Sequence, residues 1–206
     1  IIMSIVIFMY WLVMAIKNQT TIYYFKYTLG DEGLVPWANG FTLAALIGVL
    51  MIIRLTDHQS KKKTMLHGIL IALTGQAIIA AGVYGKWLLV LFAGVFINSI
   101  GNGIIIGLVS IMIADTIRYG ASMGIQAEGI LASTDDFGVN FGLGIGGLIT
   151  AGLFHVSGYV ANQSQNAATL SMINWNYVWI PLVIYAGMYL VLNLYDEQRI
   201  IDAIEK

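Results

Sequence analysis

The side chains that could do chemistry in this sequence are few, and they lie inside long apolar runs. The stretch ASTDDFGVNFGLGIGG places Asp135 and Asp136 side by side, with Asn140 one helical turn later. Lys17 interrupts another apolar run. Carboxylates, amides and an ammonium group can bind sugar hydroxyls, carry a proton or form an ion pair. In a helix, Asp136 and Asn140 share one face and Asp135 points about 100° away.

The two aspartates have two interpretations. In the first, Asp136 and Asn140 line a polar cavity, and Asp135 acts as a helix contact or gate. In the second, both carboxylates lie near the start of a helix, where negative charge is favourable whatever the function. The choice depends on the solvent around the helices.

The composition indicates a membrane protein. Of the 206 residues, 58% are hydrophobic and 10% are charged, with a mean hydropathy of +0.80. A soluble domain carries about 25% charged residues. The net charge of −1 excludes a strongly basic nucleic-acid binder, and the absence of cysteine excludes disulfides, thiolate metal sites and a cysteine nucleophile.

The elements that must position these side chains are membrane-spanning helices. A span needs about 20 mostly apolar residues, and continuous apolar runs favour helices over the alternating strands of a barrel. We predict an all-α membrane protein with six transmembrane helices at 1–27, 35–55, 64–84, 87–117, 127–155 and 174–195. Residues 1–195 then form one bundle. Because the first run begins at residue 1 without a Met, we expect the segment to be part of a longer protein.

The basic residues predict the orientation. Six spans place both chain ends on one side, and seven basic residues fall on that side: Arg54, Lys61, Lys62, Lys63, Arg118, Arg199 and Lys206. The other side has Lys26 and Lys86 near its loops. The positive-inside rule therefore predicts cytoplasmic termini in the cell membrane, with 196–206 as a cytoplasmic tail.

Glycines in the fifth span predict close helix packing. Gly138, Gly142 and Gly146 recur every four residues, a spacing that lets two helix backbones approach in lipid. The segment GASMG around Ser122 matches the G-x-S-x-G pattern of hydrolases, which needs a strand-to-helix turn and a histidine partner. A buried Ser–His pair would favour an intramembrane hydrolase.

Amides accompany the lysine of the first span. Asn18 follows Lys17 directly, and Asn98 and Asn102 form an i and i+4 pair in the fourth span. The asparagine pair could line the cavity or bond a neighbouring helix. Polar residues inside a membrane span usually face a bundle interior or a water-filled cavity.

Three segments in register carry a family resemblance. They are YYFKYTLGDEGLVP, ADTIRYG with AEGI, and FGVNFGLGIGG. Together they resemble the glycoside-pentoside-hexuronide:cation symporters, the melibiose-permease-like branch of the major facilitator superfamily. The resemblance covers the whole chain and matches the second six-helix half. The order DHQSKK between two spans is similar to a loop motif of the same superfamily.

The resemblance assigns a gating role to one cytoplasmic loop. Asp115, Tyr119 and Glu128 fall on the family's loop motif. An acidic residue and an arginine that are common in that loop are absent here. A charge lock would therefore depend on Arg118 with Glu128 or Asp115, and we expect Asp135 to act in gating as well.

The resemblance also gives the opening aspartates a context. Many family members have a lysine where Asn140 stands, and a neutral residue is common where Asp136 stands. The local field is inverted relative to that pattern. We expect Asp136 to bond sugar hydroxyls or carry a proton and Lys17 to supply the missing positive partner, which favours a neutral sugar over an anionic uronide.

The resemblance implies cation-coupled symport of a sugar or glycoside by alternating access. We expect H⁺ or Na⁺ as the coupling cation, its main site in the first half, no cofactor, no enzymatic activity, and the N-terminal half as partner. The predicted substrate-binding residues are Asp136, Asn140, Lys17, Asn18 and Asn102. A half-size homodimeric transporter and a non-transport membrane protein, such as the hydrolase, stay open as alternatives.

Overall fold

The computed structural model describes residues 2–122 and 128–198, without the side chains of 121–135. Its helices are α1 (Ile2–Tyr23), α2 (Val35–Phe41), α3 (Ala45–Thr56), α4 (Lys61–Gly85), α5 (Leu88–Ser122), α6 (Glu128–Val156), α7 (Ala167–Asn174) and α8 (Ile180–Asn193). A π-helical turn extends α1 to Leu29, a 3₁₀ turn joins α2 to α3, and a π-helical turn at Trp175–Trp179 joins α7 to α8. The described residues thus form six spans, which confirms the predicted fold class.

The helix ends follow local capping chemistry. The Ser60 hydroxyl accepts a hydrogen bond from Lys63 N at the start of α4, and Lys86 ends that helix in the left-handed conformation with φ 56°. The sixth span begins at Ala167, earlier than the predicted residue 174, because the Asn166 side chain caps α7 by accepting from Thr169 N at 2.8 Å. The sequence analysis assigned residues 167–173 to a loop, whereas they form the first turns of the span.

The tightest helix contact joins α4 and α5. Glycines on α4 recur at seven-residue spacing, at Gly68, Gly75 and Gly82. A methyl group on Gly82 would lie 2.5 Å from Leu91 N, and one on Gly101 would overlap the backbone of Ala72. The two backbones are therefore in direct contact along most of the membrane thickness.

The predicted glycine stripe of α6 lies against α1. A methyl group on Gly142 would lie 2.9 Å from Phe8 O, and one on Gly146 would lie 2.6 Å from Ala15 Cβ. Gly138 meets Ile7, whereas none of the residues that the structure describes lies within 4 Å of a methyl built on Gly144. Because both sequences advance together along this contact, the two helices are parallel.

The apolar core consists of two clusters with a polar layer between them. Ala72 on α4 belongs to one cluster and Ile79, two turns later, to the other. On α5, Val95 and Ile104 divide in the same way. The residues between these positions include Gln76, which is fully buried. The fold thus places a buried polar layer near the middle of the membrane.

Candidate substrate cavity

A cavity of about 260 Å³ opens beside the polar layer. Residues of α1, α2 and α5 supply most of its wall, and Tyr177 closes one side. Its polar lining consists of Tyr10, Lys17, Asn18, Thr21, Asn39, Thr42, Asn98, Ser99, Asn102 and Tyr177. Three of the five predicted substrate-binding residues therefore share one cavity: Lys17, Asn18 and Asn102.

Lys17 is the cationic group of this wall. Its Nζ donates to Gln76 Oε1 at 3.0 Å and to Asn98 Oδ1 at 2.5 Å. The ion pairs found among the described residues lie elsewhere, at Lys26 and Lys61. The neighbours that bind this ammonium are thus neutral amides.

The amide oxygens are held in place by the bonds of their own NH₂ groups. Gln76 Nε2 donates to the carbonyls of Tyr177 and Val178 at 2.9 and 3.0 Å. Asn98 Nδ2 donates to Ala72 O at 2.7 Å. The Tyr177 carbonyl is available because Pro181, four residues later, has no N–H to donate. Both amide oxygens therefore point toward Lys17 without freedom to flip.

The network continues along α5 to α8. Asn102 Nδ2 donates to Asn98 Oδ1 at 3.0 Å, and Tyr185 OH donates to Asn102 Oδ1 at 2.8 Å. Asn98 and Asn102 are almost fully buried, yet both contribute to the cavity wall. Both interpretations of this asparagine pair fit the structure, because the same side chains line the cavity and bond neighbouring helices.

The expected grouping of Asp136 and Asn140 with Lys17 is not found. Both side chains are exposed, and Asn140 Nδ2 donates to the Asp136 backbone carbonyl at 2.8 Å. Gly138 lies opposite Ile7 in a parallel helix pair, so Asp136 is about 18 Å from the level of Lys17 at 1.5 Å per residue. The glycine stripe turns the opposite face of α6 away from α1. The substrate-binding role of Asp136 and Asn140 stays a prediction.

The predicted gating residues meet different partners. Asp115 Oδ2 pairs with Lys61 Nζ at 2.6 Å, whereas the expected partner Arg118 is exposed. Tyr119 is half-buried at the end of α5. The side chains of Glu128 and Asp135 lie outside those that the structure describes. Their gating roles also stay predictions.

The segment after α8 contacts the start of α4. The Glu197 carboxylate accepts from Lys61 N at 2.9 Å and from Lys62 N at 3.1 Å. A carboxylate is favourable at a helix N-terminus, where backbone N–H groups lack partners. Tyr195 lies close by, and burial raises the pKa of its phenol. The first residues of the predicted tail are thus attached to the bundle.

Comparison with known proteins identifies the family. The model of the family described as MFS/sugar transport protein matches residues 1–198. The chain belongs to this family. It is 37% identical over 194 residues to an isoprimeverose transporter of Lactiplantibacillus pentosus, covering 94% of this chain and 40% of that protein. It is 29% identical over 174 residues to a glucuronide carrier protein homolog of Escherichia coli, covering 80% of this chain and 36% of that protein.

This MFS sugar-transport chain is a multi-pass membrane protein of a transporter family and not of an enzyme family, which removes the hydrolase alternative. A third relative, the inner membrane symporter YicJ of Escherichia coli, is 24% identical over 178 residues, covering 84% of this chain and 38% of that protein. The chain spans less than half the length of these relatives.

Two members of the polar layer were missed by the sequence analysis of this transporter chain. Gln76 is the one amide in the apolar run of α4, and it lies on the same helix face as Gly68 and Ala72. That position could have indicated a buried hydrogen-bonding role. Tyr185 gave no such signal, because tyrosine in an apolar span is equally compatible with simple core packing.

Proposed function

We propose that this chain forms the C-terminal six-helix half of a symporter that moves a sugar or glycoside across the cell membrane with H⁺ or Na⁺. The observation that carries the proposal is the polar cavity beside Lys17, at mid-span in a chain of the sugar-transport family. Sugar hydroxyls need several donors and acceptors at fixed positions, and the oriented amides around this cavity supply both kinds.

The proposed mechanism is alternating access. The substrate lies near the bilayer midplane, where the polar layer of this half faces a second half, and the two halves rock around it. Asn18 and Asn102 bond sugar hydroxyls from the cavity wall. The main cation site lies in the other half, and no cofactor takes part.

The relatives support a sugar or glycoside as substrate, since one is named for isoprimeverose and another for a glucuronide. In this proposal Asp136 and Asn140 act on the uncovered face of α6, where they meet the other half. Asp136 serves coupling or substrate contact there, while Asp115, Arg118, Tyr119, Glu128 and Asp135 act in gating at the cytoplasmic end.

Uptake into sealed membrane vesicles that carry the full-length transporter tests this function. Labelled isoprimeverose is the first probe, with an imposed H⁺ or Na⁺ gradient and vesicles lacking the transporter as the control. We expect accumulation above the external concentration that collapses when the driving gradient is dissipated. Accumulation of neither isoprimeverose nor any sugar in a glycoside panel under either gradient would contradict the proposal.

The orientation is tested separately with two single cysteines. Ser60 precedes α4 and Ser164 lies between α6 and α7, and both are exposed. We propose cytoplasmic termini, so Ser60→Cys should react with an impermeant thiol reagent from the cytoplasmic face and Ser164→Cys from the outer face. Labelling of both from the same face excludes this topology.

A further inference from the structure

The Lys17 ammonium is bound by neutral groups only, as far as the described residues go. An ammonium has three protons to donate. The contacts to Gln76 and Asn98 use two of them. Lys17 is part of the cavity wall and is only partly buried, and its neighbour Asn18 is exposed. The third proton is therefore available to a group that enters from the cavity.

Among the residues that the structure describes, no acid balances the charge of Lys17. Lys17 lies near the middle of the first span, Ile2–Leu29, where an unpaired charge is costly. Glu32 pairs with Lys26 and Asp115 with Lys61. The other described acids lie in the loops at Asp31 and Asp57 and after α8, and Asp136 is about 18 Å along the membrane from Lys17.

We propose that the Lys17 ammonium pairs across the cavity with a carboxylate on the part of the transporter that lies outside this segment. The inference rests on the proposed function, since it requires a second half facing this cavity. The relatives are more than twice as long as the matched region, so they contain the additional chain that such a carboxylate needs.

A negatively charged substrate is the competing source of the counter-charge. A transporter returns empty during each cycle, and in that state a substrate anion would leave the ammonium unpaired in the membrane. The two amide oxygens lower the cost of the charge without neutralising it. A protein carboxylate is available in the empty transporter as well, so it can pair with the ammonium when no substrate is bound and hold the two halves closed around the cavity.

The first test compares Lys17→Gln with Lys17→Arg in the full-length transporter. Lys17→Gln keeps a hydrogen-bond donor but removes the charge, and we expect about a hundredfold loss of isoprimeverose uptake, the effect of leaving one member of a buried ion pair alone. Lys17→Arg keeps the charge and should retain at least about a tenth of the wild-type rate. Wild-type uptake by Lys17→Gln overturns the inference.

The second test identifies the partner by removing both charges. Each membrane-embedded Asp or Glu outside this segment is changed to Asn or Gln in the Lys17→Gln background. One double variant should recover uptake to within about threefold of wild type, because no unpaired charge remains. If Lys17→Gln fails to insert, recovery of the inserted amount by one double variant supports the pairing equally. No recovery by any double variant overturns it.

Uptake of different sugars distinguishes a failure of the proposed Lys17 pairing from a failure of the proposed transport function. Loss of glucuronide uptake with unchanged isoprimeverose uptake in Lys17→Gln would assign the ammonium to a substrate anion and overturn the inference. If the wild-type transporter accumulates no sugar, the proposed function itself is contradicted. As a structural check, Lys17→Cys and a cysteine at the rescuing position should be joined by a bifunctional thiol reagent, because a lysine–carboxylate pair holds the two Cα atoms farther apart than the about 7 Å that a direct disulfide spans, and this chain has no cysteine of its own.

Discussion

The polar layer around Lys17 and the polar face of α6 differ in what covers them. Gln76 and Asn98 are buried between helices, and the NH₂ group of each has a defined acceptor. Asp136 and Asn140 are exposed, and the Asn140 amide returns to its own helix. Similar residue types thus form a preorganised network in one region and an uncovered face in the other. Whether a polar residue in a span is enclosed in a network or exposed on a face thus depends on the helix packed beside it.

The helix contacts explain this difference. On α4, seven-residue glycine spacing brings the α5 backbone close enough for Asn98 to reach Ala72 O. On α6, the four-residue spacing of Gly138 and Gly142 attaches one face to α1. Asp136 and Asn140 lie away from that contact. The first arrangement encloses amides, whereas the second presents them outward.

The largest effect is expected at the centre of the polar layer. Asn98→Leu removes an acceptor of Lys17 and Asn102 and the donor to Ala72 O. Buried groups left unpaired cost about 1–3 kcal/mol each, so isoprimeverose uptake per inserted molecule should fall by about tenfold to a hundredfold. Thr74→Ala on α4 is the control, because that exposed hydroxyl bonds its own helix at Leu70 O and lies outside the cavity lining. Normal uptake by Asn98→Leu would mean that the network is dispensable.

A smaller, structural effect should distinguish the two faces of α6. Gly142→Ala places a methyl group 2.9 Å from Phe8 O, and overpacking of this kind costs about 1–3 kcal/mol. Gly144→Ala meets none of the described residues within 4 Å and gains helix propensity, up to about 1 kcal/mol. Thermal unfolding of the two purified transporters should therefore shift in opposite directions. Equal shifts would show that α1 does not confine Gly142.

Asp136 tests whether the uncovered face has a role in transport. We expect Asp136→Asn to reduce accumulation of isoprimeverose against a gradient, but by less than Asn98→Leu, because no described side chain forms a hydrogen bond or ion pair with the Asp136 carboxylate. Exchange across equal concentrations should survive if the carboxylate serves coupling and fail if it serves sugar binding. Asn140→Lys should change the pH or cation dependence more than the sugar preference. Accumulation at the wild-type level would leave Asp136 as a charge near a helix end.

The smallest effect is expected at the membrane end, where Lys61 pairs with Asp115. Lys61 is more than one third exposed, and such pairs contribute about 0–1 kcal/mol. Lys61→Gln should therefore change the thermal midpoint slightly, with less difference from wild type at high salt. A large loss of uptake with an unchanged midpoint would instead indicate a gating role for the pair.

The sequence by itself determined the class of protein. Continuous apolar runs separated by short polar breaks specify six helical spans, because a membrane requires every backbone hydrogen bond to be satisfied within the segment. The packing role of the α6 glycine stripe was also predicted from the sequence, since small residues at four-residue spacing allow two helices to approach closely in lipid. The predicted start of the sixth span at residue 174 was wrong, because the Asn166 cap begins the helix at Ala167.

Only the tertiary structure decided which polar residues meet. Lys17, Gln76 and Asn98 come from three helices, and their sequence separations of 59 and 81 residues carry no information about contact. Helical periodicity relates residues within one helix, so it correctly placed Asp136 beside Asn140 but could not show which face another helix covers. That choice depends on the backbone contacts of α4 with α5 and of α1 with α6, which are set by packing of the whole bundle.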